Sequence, residues 1–268
     1  MVIKSRLTGM TLALTLASSL LTALPVSAQY QLKLQDFALG GNQVTDVWDT
    51  LTAAANPGTG NYPGQTMWSP VASQSGGGDA QLVKVANGSG GGPYFASASI
   101  YYGGMSSNIN FQGGTLMVRD LTPVAGVRSV VFQVSIGEAW TYDFYDHVLP
   151  ALTLTLGDGG TVELAVADYT AVLDKFYNGT MAMPSGDEPV YINTYALQWD
   201  LSAYVDIASF DISFEGVQHA QLYGLRLDQS DFLNSASVIP EPNACVLTAV
   251  GAGLTLVLVW WHRRRRRA

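Results

Sequence analysis

The stretch EAWTYDFYDH, from Glu138 to His147, gathers charged and aromatic side chains in the middle of the chain. It sets Glu138, Asp143, Asp146 and His147 beside Trp140, Tyr142 and Tyr145. Carboxylates next to aromatic rings suit two kinds of chemistry. One is oxygen ligation of a hard cation. The other is sugar recognition or glycoside cleavage, which needs two carboxyl groups facing each other across a cleft. Spacing along a β-rich chain does not fix such a pairing. A simpler reading is a polar loop after the alternating run Val130–Ile136, with its aromatics packing the rim of the fold. Glu138, Trp140, Asp143, Asp146 and His147 form the tentative ligand region.

Other chemistry is scarce. The histidines are His147, His219 and His262, and Cys245 is the one cysteine. One cysteine allows no intramolecular disulfide and no thiolate metal cluster. There is no H-E-x-x-H, no G-x-S-x-G and no D-x-[DN]-x-[DN]-G loop. No catalytic residue, metal ligand set or cofactor is therefore expected, and calcium rests only on the acidity of the middle of the chain. Among the tryptophans, Trp199 falls in an alternating run and reads as core. Trp68, in YPGQTMWSP, reads as packing under its loop, with exposure as a sugar platform the alternative.

Net charge is −8, but the split matters more. Residues 29–238 hold 6 basic and 20 acidic side chains, or −14. Such a surface repels phosphate backbones, so no nucleic-acid partner is expected.

The elements that must carry these residues are strands. Phe210, Ile212 and Phe214 alternate, as do Leu152, Leu154 and Leu156. Val162, Leu164 and Val166 follow after Gly157-Asp158-Gly159-Gly160, the pattern of a β-hairpin. Further strands are expected near 30–38, 94–102, 115–121, 190–199 and 219–228, with a bulge at Gly224. The run from Val44 to Ala55 is the best candidate for a short helix. Gly76–Gly78 and Gly88–Gly92 read as flexible surface loops. The fold class is all-β: an antiparallel β-sandwich, jelly-roll-like, flanked by an N-terminal signal peptide helix and a C-terminal transmembrane helix.

Both ends read as addresses. Lys4 and Arg6 precede an apolar stretch from about Leu12 to Leu24, then Val26-Ser27-Ala28. This is a signal peptide, residues 1–28, cut by signal peptidase after Ala28. The exported domain is then 29–238. From Ala244 to Trp261 there are 18 residues without charge, about 27 Å of helix, enough to cross a bilayer. His262 and Arg263, Arg264, Arg265, Arg266 and Arg267 follow and hold that end in the cytoplasm. Ahead of the apolar run stands Ile239-Pro240-Glu241-Pro242. Its two prolines cannot donate backbone hydrogen bonds and bias their predecessors to extended conformations. A stiff, extended, exposed tetrapeptide at the outer membrane surface is the expectation.

Pro-Glu-Pro box, apolar helix and arginine cluster, in that order, resemble a PEP-CTERM sorting signal, the C-terminal element of many exported Gram-negative proteins. The resemblance covers residues 239–268, with Ile239 where a valine is usual. It implies recognition by an exosortase, loss of the helix, and passage from an inner-membrane intermediate to the cell surface or extracellular matrix. Such proteins often accompany exopolysaccharide, which gives the expected partner of the exported domain. The alternatives are a secreted sandwich-fold glycan hydrolase or lyase, and a plain C-terminally anchored membrane protein.

Overall fold

The computed structural model describes residues 29–59, 64, 67–104, 109–183, 186–233 and 237–239. The chain divides into two units, Met1–Gln31 and Leu32–Ala268. Of the first, only residues 29–31 are described, and they carry no regular structure. The second holds every described strand. These are β1 (Gln43–Trp48), β2 (Val71–Ala72), β3 (Ser75–Gly76), β4 (Gln81–Asn87), β5 (Gly91–Phe95), β6 (Ile100–Gly103) and β7 (Gln112–Asp120). They continue with β8 (Ser129–Gly137), β9 (Ala151–Leu156), β10 (Thr161–Leu164), β11 (Tyr169–Met183), β12 (Gly186–Asp200), β13 (Ile207–Val217) and β14 (Gln221–Ser230).

The strands form two antiparallel sheets. An 8-stranded sheet runs β11-β12-β8-β14-β1-β3, with β5 and β6 joined beside β14. A 6-stranded sheet runs β10-β9-β13-β7-β4-β2. Alternation decides which face each residue takes. Val130, Phe132, Val134 and Ile136 of β8 point inward from one sheet, and Phe210, Ile212 and Phe214 of β13 from the other. The two faces share one core, in which the Phe132 and Phe214 rings lie 5.8 Å apart. The β9–β10 hairpin forms as its sequence predicts, pairing Val162 with Leu154. The bulge at Gly224 is present too, as a register shift between Leu222 and Gly224.

Several expectations are corrected. Residues 43–48 are strand, not helix: Asp46 and Trp48 turn inward together while β1 pairs with β14 along its whole length. A neighbouring strand that satisfies the backbone outweighs the weak helical pattern of TDVWDTLTAAA. Residues 30–38 form no strand. Residues 32–38 belong instead to an irregular strap over the outer face of the larger sheet, where the Gln35 N–H donates to Gln133 Oε1 at 2.8 Å and Gln133 Nε2 donates back to Gln35 O at 2.6 Å. The amide of Gln133 thus acts as a strand partner would, for one residue. The single strand expected at 94–102 is two, β5 and β6. Nor is Gly76–Gly78 a free loop. Gly76 pairs with Asp46, and the N–H groups of Gly77 and Gly78 both donate to Thr45 O.

A second, smaller cluster lies under the strap on the outer face. Phe37 and Leu39 meet Val131, Ala171, Ala196 and Ile239 there. Ile239 is 3% exposed, and Val238 N donates to Gln198 Oε1 at 2.9 Å. The expectation of an exposed tetrapeptide therefore fails at its first residue, because Ile239 buries more apolar surface against the body than it would in water. Ala28, Pro240, Glu241, Pro242, the apolar run 244–261 and Arg263–Arg267 lie outside the described residues. Among the described residues, no helix is long and apolar enough to cross a membrane.

Candidate functional site

The Glu138–His147 segment leaves β8 and turns at once. Ala139 and Tyr142 bridge each other, and a single 3-10 turn follows at Tyr145–His147. Three residues sit at positive φ: Trp140 at 58°, Asp146 at 52° and His147 at 57°. Non-glycine residues take that region sparingly, so the surrounding contacts must hold the loop in place.

Those contacts divide the five candidate ligand residues into three groups. Glu138 and Asp143 come together, joined by Asn193 of β12. Asn193 Nδ2 donates to Glu138 Oε1 at 2.8 Å and to Asp143 Oδ2 at 3.0 Å. Tyr195 OH donates to the same Asp143 oxygen at 2.6 Å, and the N–H of Tyr191 donates to Glu138 Oε2 at 2.9 Å. Asp143 Oδ1 accepts from the N–H of Phe144 at 2.7 Å. Burial first, and the Asp143 carboxylate second, push the Tyr195 phenol far above its ordinary value, so it stays a donor. Lys175 Nζ stands 4.0 Å from Glu138 and 4.2 Å from the Tyr191 ring centroid. Both carboxylates are thus spent on the chain itself, fastening the loop to β12.

Trp140 turns the other way. It is 8% exposed and meets His219 edge-on, with ring centroids 5.3 Å apart, so it offers no open face to a sugar. His219 also contacts the Tyr101 hydroxyl, at 2.6 Å from its Nδ1. Trp68 is buried against Phe95 with centroids 4.9 Å apart, and Trp199 lies in the core.

The third group, Asp146 and His147, is exposed. Asn110 holds Asp146 through two bonds: Nδ2 to Asp146 Oδ1 at 2.6 Å, and Asp146 N to Asn110 Oδ1 at 2.9 Å. Tyr142 stacks on His147 at 4.1 Å with planes 17° apart. Asp146 forms one wall of a groove of about 350 Å³ whose other polar lining is Tyr145, Thr153, Glu163, Ser213 and Glu215.

That groove lies on the outer face of the smaller sheet. Phe210, Ile212 and Phe214 face the core, so Asp211, Ser213 and Glu215 face out. Ser213 pairs with Ala151, and Thr153 pairs with both Asp211 and Glu163. Glu215 accepts from Gln112 Nε2 at 3.0 Å and Thr115 Oγ1 at 2.9 Å, which fixes its carboxylate at the groove wall. Arg119, a cation on this face, is paired with Asp211 at 2.8 Å. The groove offers hydroxyls, a phenol and carboxylates. Sequence reasoning found Asp146 and Tyr145 but not Thr153, Glu163, Ser213 or Glu215, although the polar half of SFDISFEG was the available signal. Among the described residues, no three His, Cys, Asp or Glu side chains are grouped to hold a metal ion.

No family model and no curated protein matches the chain.

Proposed function

We propose that this is an exported surface or matrix protein whose all-β body is cargo, delivered by a C-terminal sorting signal and associating with exopolysaccharide through the groove at Asp146. The observation that carries the binding reading is that groove. Carboxylates and hydroxyls on a fixed β-sheet face accept and donate hydrogen bonds to sugar hydroxyls, and the Tyr145 ring lies at its edge. The sorting reading rests on the order of Pro240-Glu241-Pro242, the apolar run and Arg263–Arg267. Exosortase and signal peptidase are the processing partners in this reading, with the inner membrane a transient station.

The connectivity fits a jelly roll. Strands β1-β14-β8-β12 lie in one sheet and β7-β13-β9-β10 in the other, and from β6 onward the chain changes sheet between β6 and β7, β7 and β8, β8 and β9, β10 and β11, β12 and β13, and β13 and β14. Co-sedimentation of the full chain with exopolysaccharide purified from the producing cells tests the binding reading. Retention that is lost in Glu163→Lys, at unchanged folding, supports it. Equal retention of both proteins, or of neither, contradicts it.

A further inference from the structure

The 6 basic side chains of residues 29–238 are Lys33, Lys84, Arg119, Arg128, Lys175 and Arg226. Most are spent within the body. Lys33 stands against Asp174, Arg119 against Asp211, Lys175 against Glu138, and Arg226 against Asp36 and Asp228. Lys84 is buried and donates to Gly64 O. Arg128 is the exception. It is exposed, and no ion pair or side-chain hydrogen bond among the described residues engages it.

Arg128 lines a cavity of about 410 Å³, inside the range of about 300–1,000 Å³ usual for small-molecule sites. The β7–β8 connection gives one wall, Ala125–Arg128, and the β12–β13 connection gives the other, with Ser202, Tyr204 and Asp206. The side chains of those three residues likewise have no hydrogen-bond or ion-pair partner among the described residues. Their backbone is nevertheless fixed. The Arg128 N–H donates to Ser230 O at 2.8 Å, and the Leu201 N–H donates to Arg128 O at 2.8 Å, so the two walls are bonded to each other at the base. Val127 and Leu201 are buried on either side of that joint. The Tyr204 N–H donates to Leu201 O at 3.0 Å, and Tyr204 packs against the main core. The Gly157 N–H donates to Asp206 O at 2.7 Å. A Cβ at Gly157 would stand 2.0 Å from Asp206 Oδ2, so the Asp206 carboxylate lies over that glycine and leaves Arg128 unpaired. A lone solvated arginine is ordinary on a protein surface. Four unspent polar side chains around one cavity, on a frame pinned by main-chain bonds, have the make-up of a binding site.

We propose that this cavity binds a carboxylated sugar, a uronate unit of an oligosaccharide or polysaccharide. The planar guanidinium of Arg128 matches a carboxylate through two parallel N–H donors. The Ser202 and Tyr204 hydroxyls and the Asp206 carboxylate supply donors and acceptors for the sugar hydroxyls. Charge selects the class. Arg128 is the one cation of the lining, and Asp206 shares the cavity, so a single negative charge is matched while the second charge of a phosphate is repelled. The cavity shares no lining residue with the groove at Asp146, and the inference goes beyond that reading.

The test is calorimetric titration of the full chain with trimers of galacturonate, glucuronate and mannuronate, and with neutral galactose trimer as the reference. The expected result is saturable binding of at least one uronate trimer, with the neutral trimer at least about tenfold weaker, the order of one charge-assisted hydrogen-bonding group. Arg128→Gln weakens uronate binding about tenfold or more and folds normally, since the bonds that Arg128 makes within the body are main-chain. Arg128→Lys keeps the charge without the fork and falls between the two. Glu163→Lys, which alters the groove at Asp146, binds the uronate as the unaltered chain does. Absence of saturable binding of all three uronates overturns the proposal, as does equal affinity in Arg128→Gln or displacement of the uronate by an equal concentration of inorganic phosphate. Loss of binding in Glu163→Lys with retention in Arg128→Gln also overturns it, and assigns the sugar to the groove instead.

Discussion

Replacing Asn193 by alanine removes one amide that serves two carboxylates, Glu138 at 2.8 Å and Asp143 at 3.0 Å. Each carboxylate keeps other donors, Tyr191 N–H for Glu138 and the Tyr195 hydroxyl and Phe144 N–H for Asp143. The loss per carboxylate therefore falls at the lower end of about 1–3 kcal/mol for a buried hydrogen-bonding group left short of a partner. Two such losses make about 2–3 kcal/mol. In a domain of this size about 1 kcal/mol moves the unfolding temperature by about 2–4 °C, so the expected drop is about 4–12 °C. Thermal unfolding followed by circular dichroism at pH 7 measures it. Asn193→Asp is the sharper variant, since it sets a third carboxylate against the two, and its deficit shrinks on acidification as the carboxyls protonate. If Asn193→Ala unfolds within about 1 °C of the unaltered chain, the claim that Glu138 and Asp143 hold the loop to β12 is refuted. Both residues would then be free for a ligand.

Further outcomes follow from other contacts. Lys84 is fully buried, donates to Gly64 O and stands 5.2 Å from the Trp68 ring centroid; burial lowers its amine from 10.5 to about 8. Its folded value lies below its unfolded one, so the stability it contributes is present above pH 10.5 and lost as pH falls through 8. Denaturant unfolding of the chain and of Lys84→Met across that window is expected to diverge by about 3 kcal/mol, with Lys84→Met ahead at neutral pH and level at high pH; a gap independent of pH contradicts this. Ile239→Ala removes a buried side chain from the outer cluster and is expected to cost about 2 kcal/mol, seen as a lower midpoint in urea, whereas no change would mean that Ile239 is not part of the folded body. Gln133→Ala unfastens Gln35 on both its backbone groups and is expected to speed proteolysis within 33–42 without altering the rest of the digest.

Much of this architecture was legible in the sequence, because period-two alternation is a direct consequence of burying one face of a strand. Phe210 to Phe214 and the Leu152–Leu164 hairpin follow that rule, and Val130 to Ile136 follows it on the inner face while Val131 is buried on the outer face as well. β1 was missed because its inward residues are Asp46 and Trp48, so a charge occupies a position where alternation expects a hydrophobe. β11 was missed for a different reason. It is an edge strand with bulges after Val172 and Tyr177, and each bulge resets the parity that a sequence reading relies on. The candidate site was half legible. Clustering of Glu138, Asp143, Asp146 and His147 was plain, but a tight turn sends the first pair inward to Asn193 and the second pair out to the surface, where Asp146 lines the groove and His147 stacks on Tyr142. Glu163 and Glu215 come from strands distant in sequence, and only the pairing of β10, β9 and β13 brings them to one face.

The central claim is that the chain beyond Ile239 is an address and the body is cargo. Mass spectrometry of the mature protein, recovered from the surface or matrix fraction of the producing cells, tests it most directly. The expected mature form begins at Gln29 and lacks Arg263–Arg267, its C-terminus falling within or next to Pro240–Pro242. A mature form that retains the arginine cluster would contradict it and leave a plain membrane anchor in its place.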